Sequence, residues 1–267
     1  MDVRERRKQT TRGEATWLEA GAGWPVVLLH AFPLHAGMWR PQLERVPEGW
    51  RFIAPDLRGC GRATLPSDDT HVTMESYAAD LWDLLDCLEV DEAALVGMSM
   101  GGYVALAMHR HSPARLTGLM LADTRSTADT QDQRALRTRL REVLARGGTS
   151  ALADQMLPNL LSNGAAATLV AEVRGLIQEG TPAGLDAALV AMTERPDSTA
   201  DLPHVSCATM VVVGELDTVT PAADAEAMHG ALPRSVLTVI PGAGHLSNLE
   251  QPGQFSRVLA DFLIARL

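Results

Sequence analysis

Three residues in this sequence are set apart by what surrounds them. Ser99 lies in Gly97-Met98-Ser99-Met100-Gly101-Gly102, between an apolar run, Ala93 to Val96, and a helical pattern from Gly102 to Arg110. A Gly-x-Ser-x-Gly turn between a buried strand and a helix is tight enough to hold its serine in a strained backbone conformation with the hydroxyl exposed. A Cβ at Gly97 or Gly101 would collide with neighbouring backbone. The serine also stands at a helix N-terminus, where free N–H groups and the helix dipole favour negative charge. A serine hydroxyl is a poor nucleophile at neutral pH and needs a base to take its proton. Imidazole, with an ordinary pKa of about 6.5, suits that task. Of the eight histidines, His245 alone follows the last predicted strand in a Gly-rich loop, Gly242-Ala243-Gly244-His245. His109 and His111 fall on the helix after Ser99, and His71, His204 and His229 on turns or helix surfaces.

A carboxylate that fixes the histidine tautomer and stabilises the imidazolium completes such a set, and two are placed to do so. Asp217 lies in Gly214-Glu215-Leu216-Asp217-x-x-x-Pro221, in the loop at a strand's carboxyl end. Asp123 ends the strand after the Ser99 helix and is its rival; the loop position favours Asp217. A developing alkoxide needs two N–H donors aimed at it. The backbone of Met100 supplies one, and the loop after the Val26–Leu29 strand the other, with Phe32 best placed.

These residues need a frame. Residues 3 to 20 read as an opening hairpin, and Val26 to Leu29 as a strand buried on both faces. Its loop, His30-Ala31-Phe32-Pro33-Leu34-His35, leaves the carboxyl end of a parallel strand, where ligands bind in open α/β sheets. A helix around Met38 to Arg45, a strand over Phe52 to Ala54 and an amphipathic helix from Glu75 to Leu88 follow. Asp56 and Arg58 are expected to pair within the loop between that strand and helix. The apolar run Leu116 to Ala122 is a further strand. Alternation of strand and helix predicts a parallel sheet with helices on both faces. From Arg125 to Leu202 the strand pattern stops. Helices are predicted over Asp129–Arg146, Ser150–Leu161, Ala165–Glu179 and Pro182–Glu194, with breaks at Gly147-Gly148, Asn163-Gly164 and Gly180-Thr181-Pro182. Such a block is expected to lie over the site as a lid, its leucines and methionines mostly lid core. The sheet resumes at Thr209–Val213, followed by a helix with Thr220 as N-cap. A strand over Val236–Ile240 and a helix over Pro252–Ala265 close the chain. The expected division is a core of residues 1–124 and 203–267 and a cap of 125–202.

The chain has 267 residues, 46% of them hydrophobic, and a formal net charge of −10. The acidic balance argues against a nucleic-acid partner and an anionic membrane surface. Cys60, Cys87 and Cys207 are scattered, form no metal-ligand cluster and fit a reducing compartment. The basic start, Arg4-Glu5-Arg6-Arg7-Lys8, precedes no apolar segment of a secretory signal, and no run approaches a membrane span. A cytoplasmic location is the expectation.

From Pro25 onward the residues resemble the α/β-hydrolase superfamily, in its branch of serine hydrolases with a helical cap. The resemblance rests on His30-Ala31-Phe32-Pro33-Leu34, Asp56-Leu57-Arg58-Gly59-x-Gly61, the Ser99 turn, Gly214-x-x-Asp217-x-x-x-Pro221 and Gly244-His245. Within the superfamily the chain is similar to carboxylesterases, 3-oxoadipate enol-lactonases and cofactor-free haloperoxidases. The resemblance implies an α/β fold: a mostly parallel central sheet flanked by helices, with an all-helical cap inserted after the strand ending near Ala122. It implies a metal-free, cofactor-free enzyme whose partner is a small-molecule ester or lactone. Ser99, Asp217 and His245 would be catalytic, the Phe32 and Met100 N–H groups would form the oxyanion hole, and His30, Leu34 and Met98 would line the substrate pocket. C–C bond hydrolysis, perhydrolysis and a ligand receptor with vestigial catalysis are the alternatives on the same fold. Two positions depart from the family pattern: Ala31 stands where glycine is usual, and Ala63 where serine is common.

Overall fold

A computed structural model describes residues 2–65 and 71–266. The chain opens with a hairpin of β1 (Arg4–Thr10) and β2 (Gly13–Gly21). It continues through β3 (Trp24–Leu29), a 3-10 turn over Ala36–Trp39, α1 (Arg40–Leu43), β4 (Trp50–Pro55), α2 (Met74–Cys87), β5 (Ala93–Met98), α3 (Met100–His111) and β6 (Leu116–Ala122). Three helices follow, α4 (Gln131–Leu160), α5 (Ala167–Gln178) and α6 (Pro182–Glu194). Then come β7 (Ala208–Gly214), α7 (Ala222–Ala231), β8 (Ser235–Ile240), α8 (Ser247–Glu250) and α9 (Pro252–Arg266). The eight strands form one sheet in the order β1-β2-β4-β3-β5-β6-β7-β8. β2 pairs antiparallel with β1 and β4, and every other pairing is parallel.

The central strands are apolar throughout because helices cover both sheet faces. All six residues of β5 are buried. Strand alternation sends Val27, Leu29 and Leu95 to one side, and Val26, Leu28, Val96 and Met98 to the other. α2 begins at a capping box in which Thr73 and Ser76 satisfy each other's backbone N–H groups. It buries Tyr77, Leu81, Leu84 and Leu85 and packs on α3. α3 is buried from Met100 to His109, since it lies between that helix and the sheet.

Four details differ from the sequence expectations. The helix expected over Met38 to Arg45 is a 3-10 turn followed by a short α turn, because His35 caps the chain early, its Nδ1 accepting from Gly37 N–H. The helices expected on either side of Gly147-Gly148 form one run, Gln131–Leu160, kinked where Gly148 alone leaves helical geometry at φ 66° and ψ −163°. Pro221, not Thr220, is the N-cap of α7, since the Thr220 hydroxyl donates to Asp217 instead. Asp56 and Arg58 do not pair with each other. Arg58 bonds Asp80 of α2 at 2.8 Å, while Asp56 accepts from Ala36 N–H at 2.9 Å and lies 3.6 Å from Arg62.

The helices between β6 and β7 have no separate core. Leu152, Leu185 and Leu189 share a buried cluster with α2 and α3, and Leu157, Val173 and Ile177 share another with β3 and α9. Among the described residues no helix is long and apolar enough to cross a membrane.

Candidate active site

Ser99 sits between β5 and α3 at φ 53° and ψ −115°, a region that L residues avoid without strain. The turn is possible because the backbone closes on itself. A Cβ at Gly97 would lie 2.4 Å from Gly101 O, and one at Gly101 would lie 2.1 Å from Leu29 O. The serine backbone is held on both sides: its N–H donates to Ala122 O at 2.9 Å, and its carbonyl accepts from Gly102 N–H at 2.9 Å and from the Thr124 hydroxyl at 2.7 Å.

The ends of β7 and β8 bring the other two residues to it. His245 Nε2 lies 2.8 Å from Ser99 Oγ, and His245 Nδ1 lies 2.8 Å from Asp217 Oδ2. A carboxylate only accepts, so Nδ1 carries the proton and Nε2 is free to accept from the serine hydroxyl. Asp217 is itself fixed, accepting from Val219 N–H at 2.8 Å, Thr220 N–H at 3.0 Å and the Thr220 hydroxyl at 2.6 Å. Burial alone would raise its pKa, but His245 and the Thr220 donors outweigh burial and hold it below the usual carboxylate range. Burial would likewise lower the pKa of His245, and the Asp217 carboxylate outweighs it and raises the value. Asp123 makes no hydrogen bond to His245; its oxygens accept from Gly214 N–H and the Ser247 hydroxyl.

The N–H groups of Phe32 and Met100 donate to no protein acceptor among the described residues. Phe32 borders the same cavity as Ser99 and His245, and Met100 is the first residue of α3. Ala31 is not at positive φ, so the Cβ there is accommodated where the family usually has glycine.

The cavity beside Ser99 has a volume of about 380 Å³. Phe32, Tyr103, Leu140, Met156, Leu160 and Met192 form its apolar wall. His30, Leu34 and Met98 do not line it. His30 is fully buried and turned back into the loops: Nδ1 donates to Ala31 O at 3.1 Å, while Nε2 accepts from Leu57 N–H at 3.0 Å. Burial pushes its pKa down to about 4, so it is a neutral strut. Leu34 is packed in the core, and Met98 is directed by strand alternation into the cluster on one sheet face.

Sequence reasoning missed the polar side of the cavity. Arg125, Asp129, Gln133 and Arg137 all border it. Asp129 is buried between Arg137 Nε at 2.7 Å and Arg195 Nη1 at 2.6 Å, and the Arg195 guanidinium lies 4.0 Å from the Tyr103 ring centroid. Charged residues at the start of an amphipathic helix read as a solvent face, and nothing local distinguishes these. Also unforeseen were Thr124, Thr220 and Ser247, which bond the site from behind; their signal was a hydroxyl residue close after a strand end or beside a site residue.

With strand order, strained serine turn and Ser–His–Asp hydrogen bonding in place, comparison with known proteins agrees on the class. The chain belongs to the α/β hydrolase fold family, whose model matches residues 25–252. Among solved structures it is similar to a thermophilic esterase from Thermogutta terrifontis, at 37% identity and a TM-score of 0.91, covering 98% of each chain. It is 30% identical to pimeloyl-[acyl-carrier protein] methyl ester esterase of Nitrosomonas europaea over 88% of this chain and 94% of that one. It is 26% identical to 3-oxoadipate enol-lactonase 1 of Acinetobacter baylyi over 89% of this chain and 88% of that one.

Proposed function

We propose that the protein is a serine hydrolase that cleaves a small carboxylic ester or lactone through an acyl-enzyme, with residues 125–202 as a cap over the site. The observation that carries this reading is the unbroken hydrogen-bonded chain from Ser99 Oγ through His245 to Asp217 on the wall of a ligand-sized cavity. In the mechanism, Ser99 Oγ attacks the carbonyl carbon while His245 Nε2 takes the hydroxyl proton. Asp217 holds the imidazole tautomer and stabilises the imidazolium. The N–H groups of Met100 and Phe32 stabilise the oxyanion. His245 passes its proton to the leaving alkoxide, and the carbon–oxygen bond breaks. A water then gives its proton to His245 as it attacks the acyl carbon, and the proton returns to Ser99 when the acid departs. The names of the relatives support ester-bond cleavage, since one is a methyl ester esterase and another an enol-lactonase.

The test is turnover of p-nitrophenyl esters of increasing acyl length, beside an enol-lactone, by wild type and Ser99→Ala. Wild type is expected to cleave short esters or the lactone, and the variant to lose at least about 10³-fold in kcat. Wild-type rates retained by Ser99→Ala would sink the reading.

A further inference from the structure

Asp123 is a fully buried carboxylate at the site and has no part in the steps above. It directly follows β6, with a backbone φ of 46°, in the region that favours glycine. Both of its oxygens are engaged. Oδ1 accepts from Gly214 N–H at 2.7 Å, at the end of β7 and three residues before Asp217. Oδ2 accepts from the hydroxyl of Ser247, two residues after His245. Its own N–H donates to Val212 O at 2.9 Å, and its neighbour Thr124 donates to the Ser99 carbonyl at 2.7 Å. One dipeptide thus touches the turns that carry the serine, the acid and the base.

The partners of this carboxylate are an amide and a hydroxyl. Among the described residues no cation pairs with it. Burying a carboxylate without a cation is costly. Burial first, and then the charge of Asp217, push its pKa up to about 7. A strut for three loops needs no ionisable group; an amide of the same shape would keep the Gly214 bond and meet Ser247 with that bond's direction reversed. What a carboxylate adds is charge, and His245 gains from it. Asp217 and Asp123 favour the imidazolium, while Arg125 opposes it.

We propose that Asp123 is a positioning residue of the hydrolytic site: clamped by Gly214 and Ser247, it sets a second negative charge behind His245 and supports the imidazolium that forms when Ser99 attacks. The inference rests on the serine hydrolase reading.

Asp123→Asn is the discriminating variant. Its Oδ1 still accepts from Gly214 and its amide N–H groups can donate to Ser247, whose hydroxyl turns from donor to acceptor, so the clamp is kept and the charge is lost. The readout is the pH dependence of inactivation by diisopropyl fluorophosphate, which needs no knowledge of the substrate. Ser99 Oγ bonds phosphorus, fluoride leaves, and the serine proton passes to His245. The rate requires neutral His245. Without the second charge the histidine stays neutral to lower pH, so the acid limb moves down. The imidazolium is also less well supported, so the plateau falls by roughly three- to tenfold. A purely structural role predicts coincident midpoints, and that result would overturn the inference while leaving the hydrolase reading intact. If Asp123→Asn does not fold, Ser247→Ala is read instead. Losing one donor favours protonated Asp123, so both effects are expected in the same direction and smaller; a profile matching wild type would again overturn the inference. Failure of wild type to react at any pH would remove both readings together.

Discussion

Asp217 is buried among three donors besides His245, and that setting fixes what its replacement should do. In Asp217→Asn an amide faces His245 Nδ1, and the imidazole is driven toward the tautomer with Nε2 protonated, which cannot accept from Ser99. The expected result is a fall in kcat of about 10³- to 10⁴-fold with little change in KM, measured by steady-state kinetics on a p-nitrophenyl ester. In wild type the raised His245 pKa is expected to place the acid limb of kcat/KM above about 6.5, the ordinary histidine value, read from a pH–rate profile on the same ester. The same shift contributes folding stability that is full below the unfolded histidine pKa and is lost as pH rises through the folded one. The meeting of Ser99, His245 and Asp217 was legible because each sits in a loop marked by glycine or proline after an apolar strand. His30, Leu34 and Met98 were misread for a reason the local sequence does not carry. His30 is claimed by Leu57 N–H, 27 positions away, and strand parity decides the face to which Met98 points.

Among the elements, α4 has the most unusual geometry. Its two arms meet at Gly148, where an added Cβ would find no atom within 4 Å, so the obstacle to a side chain is the backbone conformation alone. Gly148→Ala is therefore expected to cost about 1–3 kcal/mol, read as a lower urea midpoint. It should also raise KM, because Leu136 and Leu140 border the cavity from one arm while Met156 and Asn159 border it from the other. Equal stability and KM in the variant would show that the kink is not held by its glycine. The break at Gly147-Gly148 was visible in the sequence, as were the strands over Leu116–Ala122 and Val236–Ile240. Invisible were the angle between the arms and the capture of Thr220 by Asp217, since both depend on contacts made only after the sheet has formed.

For the molecule as a whole, the sequence divided the chain where the strand pattern stops, at residues 125–202, but did not reveal that those helices share buried clusters with the sheet layers. Leu28 on β3 and Leu189 on α6 are both fully buried, in different clusters. Leu28→Ala and Leu189→Ala are each expected to cost about 2–5 kcal/mol and to move the same unfolding transition, followed by far-ultraviolet circular dichroism and tryptophan fluorescence together. A separate transition that only Leu189→Ala displaces would mean the helices unfold on their own. The strand order also has a meaning in time. Translation delivers Ser99 first and His245 146 residues later, on the loop that follows β8, the outermost strand of its side of the sheet. On the proposed mechanism, a nascent chain whose β8 has not docked on β7 holds Ser99 without its base. The proposed nucleophile would then become reactive only when the C-terminal part of the sheet is in place, and a half-made chain would carry a hydroxyl no more reactive than any other serine's.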